Sequence, residues 1–368
     1  MTWNWQQNGW PAFVWDAALL TRLEDRFLHE SGLLLGAFTH FGDTDKAEMS
    51  VGIISDEAMQ SARIEGEMLN RDSLQSSVRR NFGLATDDAR QVPAAEKGMA
   101  EMMTLLYRQF AEPLSQATLF DWHAQLMLGR RDMSDIGCYR TGEEPMQVIS
   151  GPLHKPRIHF EAPPAARLER EMDGFITWFN NSAPDGAAPL PQLTRAGIAH
   201  LYFVSIHPFE DGNGRIARAL AAKALSQGMR QPLLLALSQV IESGRKTYYD
   251  QLEVNNKELE ITPWLLYFAE TTLAANAWSQ RLFDFLLAKT RLFDRLRGSV
   301  NARQQKALER MFREGPAGFQ GGLSAENYIN LTGTSRATAT RDLQQLIEMG
   351  ALTRTGERKG TRYWLNLA

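Results

Sequence analysis

A single cysteine, Cys138, in 368 residues rules out an internal disulfide and a cysteine-based zinc cluster, and with them a secreted disulfide scaffold. Cys138 lies in no recognisable nucleophile context and reads as a packing residue. No stretch approaches ~18 uninterrupted apolar residues, which excludes a membrane-spanning helix. The start, Met1-Thr-Trp-Asn-Trp-Gln-Gln-Asn-Gly-Trp10, lacks the basic region and apolar run of a targeting signal, so a cytoplasmic location is expected. The formal charge of −3 offers no global attraction to nucleic acid or to an anionic membrane. What is present is ample core material: 43% of residues are hydrophobic and 10% aromatic, and the length suits two or three domains.

The most informative stretch is His207-Pro-Phe-Glu-Asp-Gly-Asn-Gly-Arg-Ile-Ala-Arg218. Gly212 and Gly214 remove side chains where the backbone must turn and approach a ligand, and Asn213 between them tolerates left-handed backbone angles. The residues from Arg215 to Leu225 are rich in helix formers, so the turn falls at a helix N-terminus, where free N–H groups and the helix dipole attract an anion such as phosphate. Arg215 and Arg218 share one face of the first turn and offer forked, charge-assisted hydrogen bonds to phosphate oxygens. Asp211 is a hard oxygen ligand beside that cradle, suited to Mg²⁺ whose shell is completed by substrate oxygens and water. His207 supplies a base that works near neutral pH. Phe209 is expected to point inward and anchor the loop. Glu210 reads as a solvated neighbour, and His123 and His200 read as satisfied interior histidines.

At every fixed position this segment resembles the signature of the Fic (filamentation induced by cAMP) family, His-x-Phe-x-(Asp/Glu)-Gly-Asn-Gly-Arg-x-x-Arg. The resemblance implies transfer of AMP from ATP to a hydroxyl of a target protein. In that reaction His207 takes the proton from a Tyr, Thr or Ser hydroxyl attacking the α-phosphate, Asp211 holds the Mg²⁺ that bridges the α- and β-phosphates, and pyrophosphate leaves. The amides of Gly212, Asn213 and Gly214 together with Arg215 stabilise the phosphates, and Arg218 pairs with the γ-phosphate. Other nucleotide donors, and removal of AMP by a Glu-positioned water, also occur among the relatives that the resemblance brings in.

A second segment, Ser61-Ala-Arg-Ile-Glu65-Gly66, resembles the family's inhibitory pattern (Ser/Thr)-x-x-x-Glu-(Gly/Asn), in the class with an N-terminal inhibitory helix. Ser55 reads as the cap that opens this helix and Gly66 as the residue that ends it. Glu65 would then sit at a helix C-terminus, where the last carbonyls repel an anion and a cationic partner is needed. The resemblance nominates Arg218. An Arg218 held by Glu65 cannot take the γ-phosphate, so an autoinhibited enzyme is expected.

Three-and-four spacing predicts helices over about 16–41, 45–79, 95–110, 118–128, 165–180 and 194–206, with the helix from Arg215 running through the middle of the bundle and the long apolar segment from Ile261 to Leu296 covering one side. Met146 to Ile149 and Arg157 to Phe160 alternate around the turn-rich Ser150-Gly-Pro-Leu-His-Lys-Pro156 and predict a hairpin. The Fic resemblance makes this hairpin, between Gly137-Cys-Tyr-Arg140 and Pro163-Pro164, a flap that holds the target segment by strand addition. Tyr248 and Tyr249 resemble the family's Tyr-Tyr segment near the adenine pocket, and a core role for at least one fits equally well. The tryptophans Trp3, Trp5, Trp10 and Trp15 form an aromatic layer with no ligand assigned.

From Asn301 onward there are ten Lys and Arg against six Asp and Glu, a local basic excess. Ser335 caps a helix stopped by Gly350, with Ala339, Leu343, Leu346 and Ile347 on one face and Arg336, Thr338 and Arg341 outward; two short strands then flank Gly356 to Gly360. This is similar to a winged helix-turn-helix, which serves DNA binding or protein interaction and dimerisation. The expected fold is mainly α: a Trp-rich helical module (1–50), a Fic core with inhibitory helix (about 55–66) and flap (51–297), and a winged helix (298–368). Two functions stand from this reading: an autoinhibited protein adenylyltransferase using ATP and Mg²⁺, with a target protein at the flap and self-modification and homodimerisation open, or a nucleotide-sensing transcription regulator that binds DNA.

Overall fold

Apolar periodicity folds as helix along most of the chain. The computed structural model describes residues 2–39, 41–86, 91–151, 156–315, 318–319 and 321–367. In chain order the first elements are α1 (Ala17–Thr39), α2 (Asp43–Ile64), α3 (Arg71–Asn81), α4 (Ala94–Arg108) and α5 (Gln116–Leu126), followed by the strands β1 (Gln147–Ser150) and β2 (Arg157–Glu161). Then come α6 (Leu168–Asn181), α7 (Gln192–Ile206), α8 (Asn213–Met229), α9 (Leu237–Ser243), α10 (Arg245–Asn255) and the long α11 (Thr262–Arg295).

The helix read over 45–79 is two helices. Gly66 takes φ +84°, which only glycine adopts without strain, and Asn70 starts α3 afresh by accepting the Ser73 amide at 2.9 Å. Ser55 is not a cap: it is buried in the middle of α2, which begins at Asp43. The module boundary drawn at 50/51 therefore falls inside a continuous helix.

Helices α7 and α8 form the centre, and both are buried on almost every side. Such all-round burial explains why α8 needs its run of Ala and Leu. The flap is antiparallel, with Ser150 opposite Arg157, Ile149 opposite Ile158 and Val148 opposite Phe160, so His159 is an extra residue in a bulge. Of its connector, Pro152–Lys155 lie outside the described residues. The tryptophan layer supports the flap's base: Trp3 meets the Phe160 ring edge-on at 5.4 Å, and Trp5 Nε1 donates to the Glu161 carbonyl at 2.6 Å.

The chain divides into two units, Met1–Ser279 and Gln280–Ala368. The second reaches further back than residue 298 because Phe285 and Phe293 pack on Phe312, with ring centroids 5.3 and 5.6 Å away. It contains α12 (Ala302–Phe312), α13 (Ala325–Thr332), α14 (Arg336–Glu348) and the antiparallel pair β3 (Leu352–Thr355) and β4 (Arg362–Leu365). Gly333 at φ +67° joins α13 to α14, and the Ser335 hydroxyl caps α14 by accepting the Thr338 amide. Ala339, Leu343 and Leu346 are fully buried, while Arg336 and Arg341 are exposed. Thr338, read as outward, is half-buried with its hydroxyl 3.1 Å from Ser335 Oγ. Pro316 and Ala317 lie outside the described residues.

Candidate active site

The site grows out of the break between α7 and α8. His207 caps α7 in the left-handed region (φ 51°, ψ 58°), an unusual conformation for a histidine that turns the chain sharply out of the helix. Buried Arg140 fixes that turn from outside: its Nε donates to the His207 carbonyl at 2.9 Å, and its own amide donates to the Pro208 carbonyl at 3.0 Å. Phe209 is fully buried and stacks on the His123 ring at 4.1 Å. Asn213 is not in the left-handed region. It is the first residue of α8, and its side chain closes the loop on Phe209, accepting the Phe209 amide at 3.0 Å and donating to its carbonyl at 2.8 Å. The left-handed residue is Gly212 (φ +83°), where a Cβ would come within 2.7 Å of Met127.

His207 is half-buried, and its Nδ1 lies 3.4 Å from the Val204 carbonyl. That contact suits an Nδ1–H tautomer and leaves Nε2 as the proton acceptor. Burial, reinforced by the Arg140 cation, pushes the imidazole down to about 4, so it is neutral at pH 7. Asp211 is only partly covered. Burial pushes its carboxyl up, but Arg215, the Gly212 amide and Arg130 outweigh that and hold it below the usual carboxylate range. Its Oδ1 accepts from Gly212 N at 2.5 Å and Arg215 Nη2 at 3.2 Å, and its Oδ2 accepts from Arg130 Nη1 at 2.9 Å.

The two arginines of α8 are buried and each meets a carboxylate from the segment that ends α2. Arg218 Nη1 lies 2.9 Å from Glu65 Oε1, close enough for an ion pair but off the line of a directed hydrogen bond. Its other nitrogens are better aimed: Nε donates to Ser61 Oγ at 3.0 Å and Nη2 to the Ser61 carbonyl at 2.8 Å. Glu65 is the C-cap of α2, and its Oε2 accepts from Tyr249 Oη at 3.2 Å. Arg215 Nη1 donates to Glu67 Oε2 at 2.6 Å. A Cβ at Gly214 would fall 2.3 Å from Glu65 Oε1, so the carboxylate rests directly on the first turn of α8.

Of the residues singled out in the sequence, His207, Asp211, Gly212, Gly214, Arg215, Arg218, Ser61, Glu65 and Tyr249 gather here. Asn213 braces the loop from within. Tyr248 is buried with its hydroxyl 3.0 Å from His200 Nε2, a core position. Sequence reasoning missed Glu67, Arg130 and the bracing role of Arg140; the only available signal was the Gly-x-Tyr-Arg run, which was read as a flap boundary.

A nucleotide phosphate fits this surface. The first amides of α8 have no partner within the helix, the glycine leaves room beside them, and buried Arg215 Nε meets no hydrogen-bond acceptor among the described residues. Among the described residues no cluster of three or more His, Cys, Asp or Glu is placed to hold a metal. Asp211, a hard carboxylate oxygen donor beside the cradle, is the residue that would hold a Mg²⁺ ion if one accompanies the phosphates. No helix among the described residues is long and apolar enough to cross a membrane.

Residues 113–225 match the Fic/DOC family, and residues 3–84 match a domain of unknown function, DUF4172. The chain is 30% identical over 203 residues to the protein adenylyltransferase Fic of Nematostella vectensis, covering 54% of this chain and 41% of that protein. To the protein of the same name from Aedes aegypti it is 34% identical over 101 residues, 27% of this chain and 18% of the other. The chain thus spans less than half the length of these curated relatives. A crystal structure of a Fic family protein from Desulfovibrio desulfuricans has a TM-score of 0.51 at 20% identity, covering 94% of this chain and 96% of that one. A Fic domain containing signaling protein from Bacteroides thetaiotaomicron has a TM-score of 0.53 at 17% identity, covering 70% and 96%. Both share the fold. The chain carries a Fic/DOC family domain, and the site from His207 to Arg218 lies within it.

Proposed function

We propose that this protein is an autoinhibited protein adenylyltransferase, which transfers AMP from ATP to a Tyr, Thr or Ser hydroxyl of a target protein. The observation that carries the reading is the set of charges around Gly214: a neutral His207, the carboxylate of Asp211, and two buried arginines each matched by a carboxylate from outside the domain. In the transfer, His207 Nε2 accepts the hydroxyl proton as the target oxygen attacks the α-phosphorus. The bond from that phosphorus to the bridging oxygen breaks, and pyrophosphate departs. Amides at the start of α8, with Arg215 and Arg218, neutralise the phosphate oxygens; preorganised donors of this kind are worth roughly 3 kcal/mol each. Asp211 would hold Mg²⁺, which when bound supplies charge neutralisation to the phosphates.

In the resting chain Glu65 and Glu67 take the positions on Arg218 and Arg215 that phosphate oxygens need, and Arg130 takes the place of a cation on Asp211. The charges of a magnesium nucleotide are thus mimicked from within. The exposed apolar side chains Val148, Ile149 and Ile158, and the free side of β1, which pairs with no strand but β2 among the described residues, support docking of an extended target segment there.

The test uses wild type, Glu65→Gly, and Glu65→Gly combined with His207→Ala, each given α-labelled ATP and Mg²⁺. Label on protein is expected with Glu65→Gly and not with the double variant. Silence in all three, with nucleotide still bound, overturns the transferase reading. A second reading rests on the exposed Arg336 and Arg341 of α14 and Arg354 of β3: the second unit acts as a winged helix on DNA, with the Fic domain as nucleotide sensor. Under that reading, Arg336→Ala with Arg341→Ala abolishes salt-sensitive duplex binding, and His207→Ala leaves the regulatory output unchanged.

A further inference from the structure

One buried polar atom beneath the transfer site is left unmet. His123, read from the sequence as a satisfied interior histidine, lies on α5 with no exposed surface. It is interior but not satisfied. Its Nδ1 accepts from the Gly137 amide at 3.0 Å, so the neutral ring carries its proton on Nε2, and that N–H meets no acceptor among the described residues. A buried donor without a partner is rare and calls for a physical reason.

The surroundings of the ring supply one. Its face stacks on Phe209 at 4.1 Å with 9° between the planes, directly under the turn that leads into α8. A Cβ at Gly212 would stand 3.7 Å from His123 Cδ2, the carbon bonded to Nε2, so the unmet edge lies beside Gly212. Burial pushes the ring down to about 4, and the strongest opposing influence is the Asp211 main chain, an acceptor on that side. In the resting chain the two do not form a hydrogen bond. Through Gly137 the same ring is tied to the run ending in Arg140, whose side chain holds the His207 carbonyl. Neither the stack nor the Gly137 contact uses the Nε2 proton. The Asp211 side chain, meanwhile, is held by Arg215 at 3.2 Å and by Arg130 at 2.9 Å.

We propose that His123 is a positioning residue for AMP transfer: when a phosphate takes Arg215 from Asp211, the Asp211 carbonyl settles onto His123 Nε2–H, and that hydrogen bond fixes the loaded form of the turn. This rests on the transferase reading above. The donor is then unmet only in the resting chain, so meeting it favours the loaded form.

Two readouts test this in the full chain. The first is the His123 Nε2–H resonance in Glu65→Gly protein with isotope-labelled histidine, assigned by its loss in His123→Gln. The probe is an ATP analogue whose α–β bridge cannot be cleaved, given with Mg²⁺. The proton is expected to move downfield and to exchange more slowly as the analogue binds; an unchanged signal at saturation overturns the proposal. The second is the rate of label transfer from α-labelled ATP in the Glu65→Gly background. His123→Asn keeps an acceptor for Gly137 and loses the Nε2 donor, whereas His123→Gln places an amide N–H where Nε2–H stands. His123→Asn is expected to lower the maximal rate by about tenfold without changing the ATP concentration that gives half of it, and His123→Gln to retain more of the rate. A merely structural histidine gives the opposite order, because Asn preserves the one hydrogen bond seen at rest; that order, or equal rates, overturns the proposal. Should His123→Asn fail to fold, the resonance decides. No transfer by the Glu65→Gly parent overturns the transferase reading and the positioning role with it, and a resonance that still moves then marks the contact as a response to nucleotide alone.

Discussion

Glu67 Oε2 lies 2.6 Å from Arg215 Nη1, two positions beyond the Glu65 that faces Arg218 at 2.9 Å. The two carboxylates reach the two arginines of α8 from one short segment, because α2 ends at Ile64 and the chain turns at Gly66 across the start of α8. A single rearrangement of residues 65–67 would withdraw both carboxylates together, leaving Arg218 its contacts with Ser61.

Glu67→Gln is accordingly expected to strengthen nucleotide binding even with Glu65 in place. Glu67 is about one-third exposed, so its pair with Arg215 is worth only ~1 kcal/mol, a gain of roughly fivefold in Kd for ATP. Calorimetric titration of wild type, the single variants and the double variant tests this. A larger effect from Glu65→Gly is expected because Arg218 is almost fully buried. Identical affinities for wild type and Glu67→Gln would remove Glu67 from the restraint.

Arg130 Nη1 holds Asp211 Oδ2 at 2.9 Å on an exposed surface, and on the proposed transferase reading a Mg²⁺ ion at Asp211 would compete with it. In a Glu65→Gly background, Arg130→Ala is expected to lower the Mg²⁺ concentration giving half-maximal transfer by about threefold, the scale of an exposed ion pair. The measurement is a Mg²⁺ titration at saturating ATP, and an unchanged midpoint would show that Arg130 does not stand in the ion's way.

Most of the helices were legible, because three-and-four spacing reports burial directly, and the His207–Arg218 motif placed its own loop at a helix start. What tertiary packing decides was not. Ser55 looks like a cap in sequence, but it precedes no break and is simply a small residue inside α2. Asn213, flanked by glycines, reads as a turn residue, yet its amide is used to clasp Phe209. Glu67 and Arg130 carry no local signal: each matters only because folding brings it to a residue far away in the chain. Tyr248 and Tyr249 are neighbours in sequence, but one turns inward to His200 and the other outward to Glu65.

Acid should destabilise the fold from a defined pH. His200 is fully buried and pushed down to about 3 by burial and the Arg218 cation. Its folded value lies below the unfolded value of about 6.5, so above that pH it costs nothing, and as pH falls the unfolded chain binds the extra proton. Stability is therefore lost from about pH 6.5 downward, with His200 contributing ~2 kcal/mol of the loss at pH 5. His123 and His207, each pushed down to about 4, act in the same direction. Urea unfolding at pH 7 and pH 5 should show a smaller difference for His200→Gln than for wild type, and equal differences would contradict this account.

Asp342 is the polar centre of the second unit. It is buried on α14, accepting from Arg303 Nε at 2.9 Å and from Tyr328 Oη at 3.0 Å, while its carbonyl accepts from Gln304 Nε2 at 3.1 Å. One side chain thus ties α12, α13 and α14 together. Removing it leaves the buried Tyr328 phenol without its acceptor, while Arg303, whose side chain is 40% exposed, can turn to water, so the larger part of the loss falls on the Tyr328 contact. Asp342→Ala in the full chain should raise amide exchange throughout α12 and α14 while leaving α7 and α8 protected, whereas Asp342→Asn, which keeps an acceptor oxygen, should lose less. Uniform exchange across both units in Asp342→Ala would mean that the two units unfold as one.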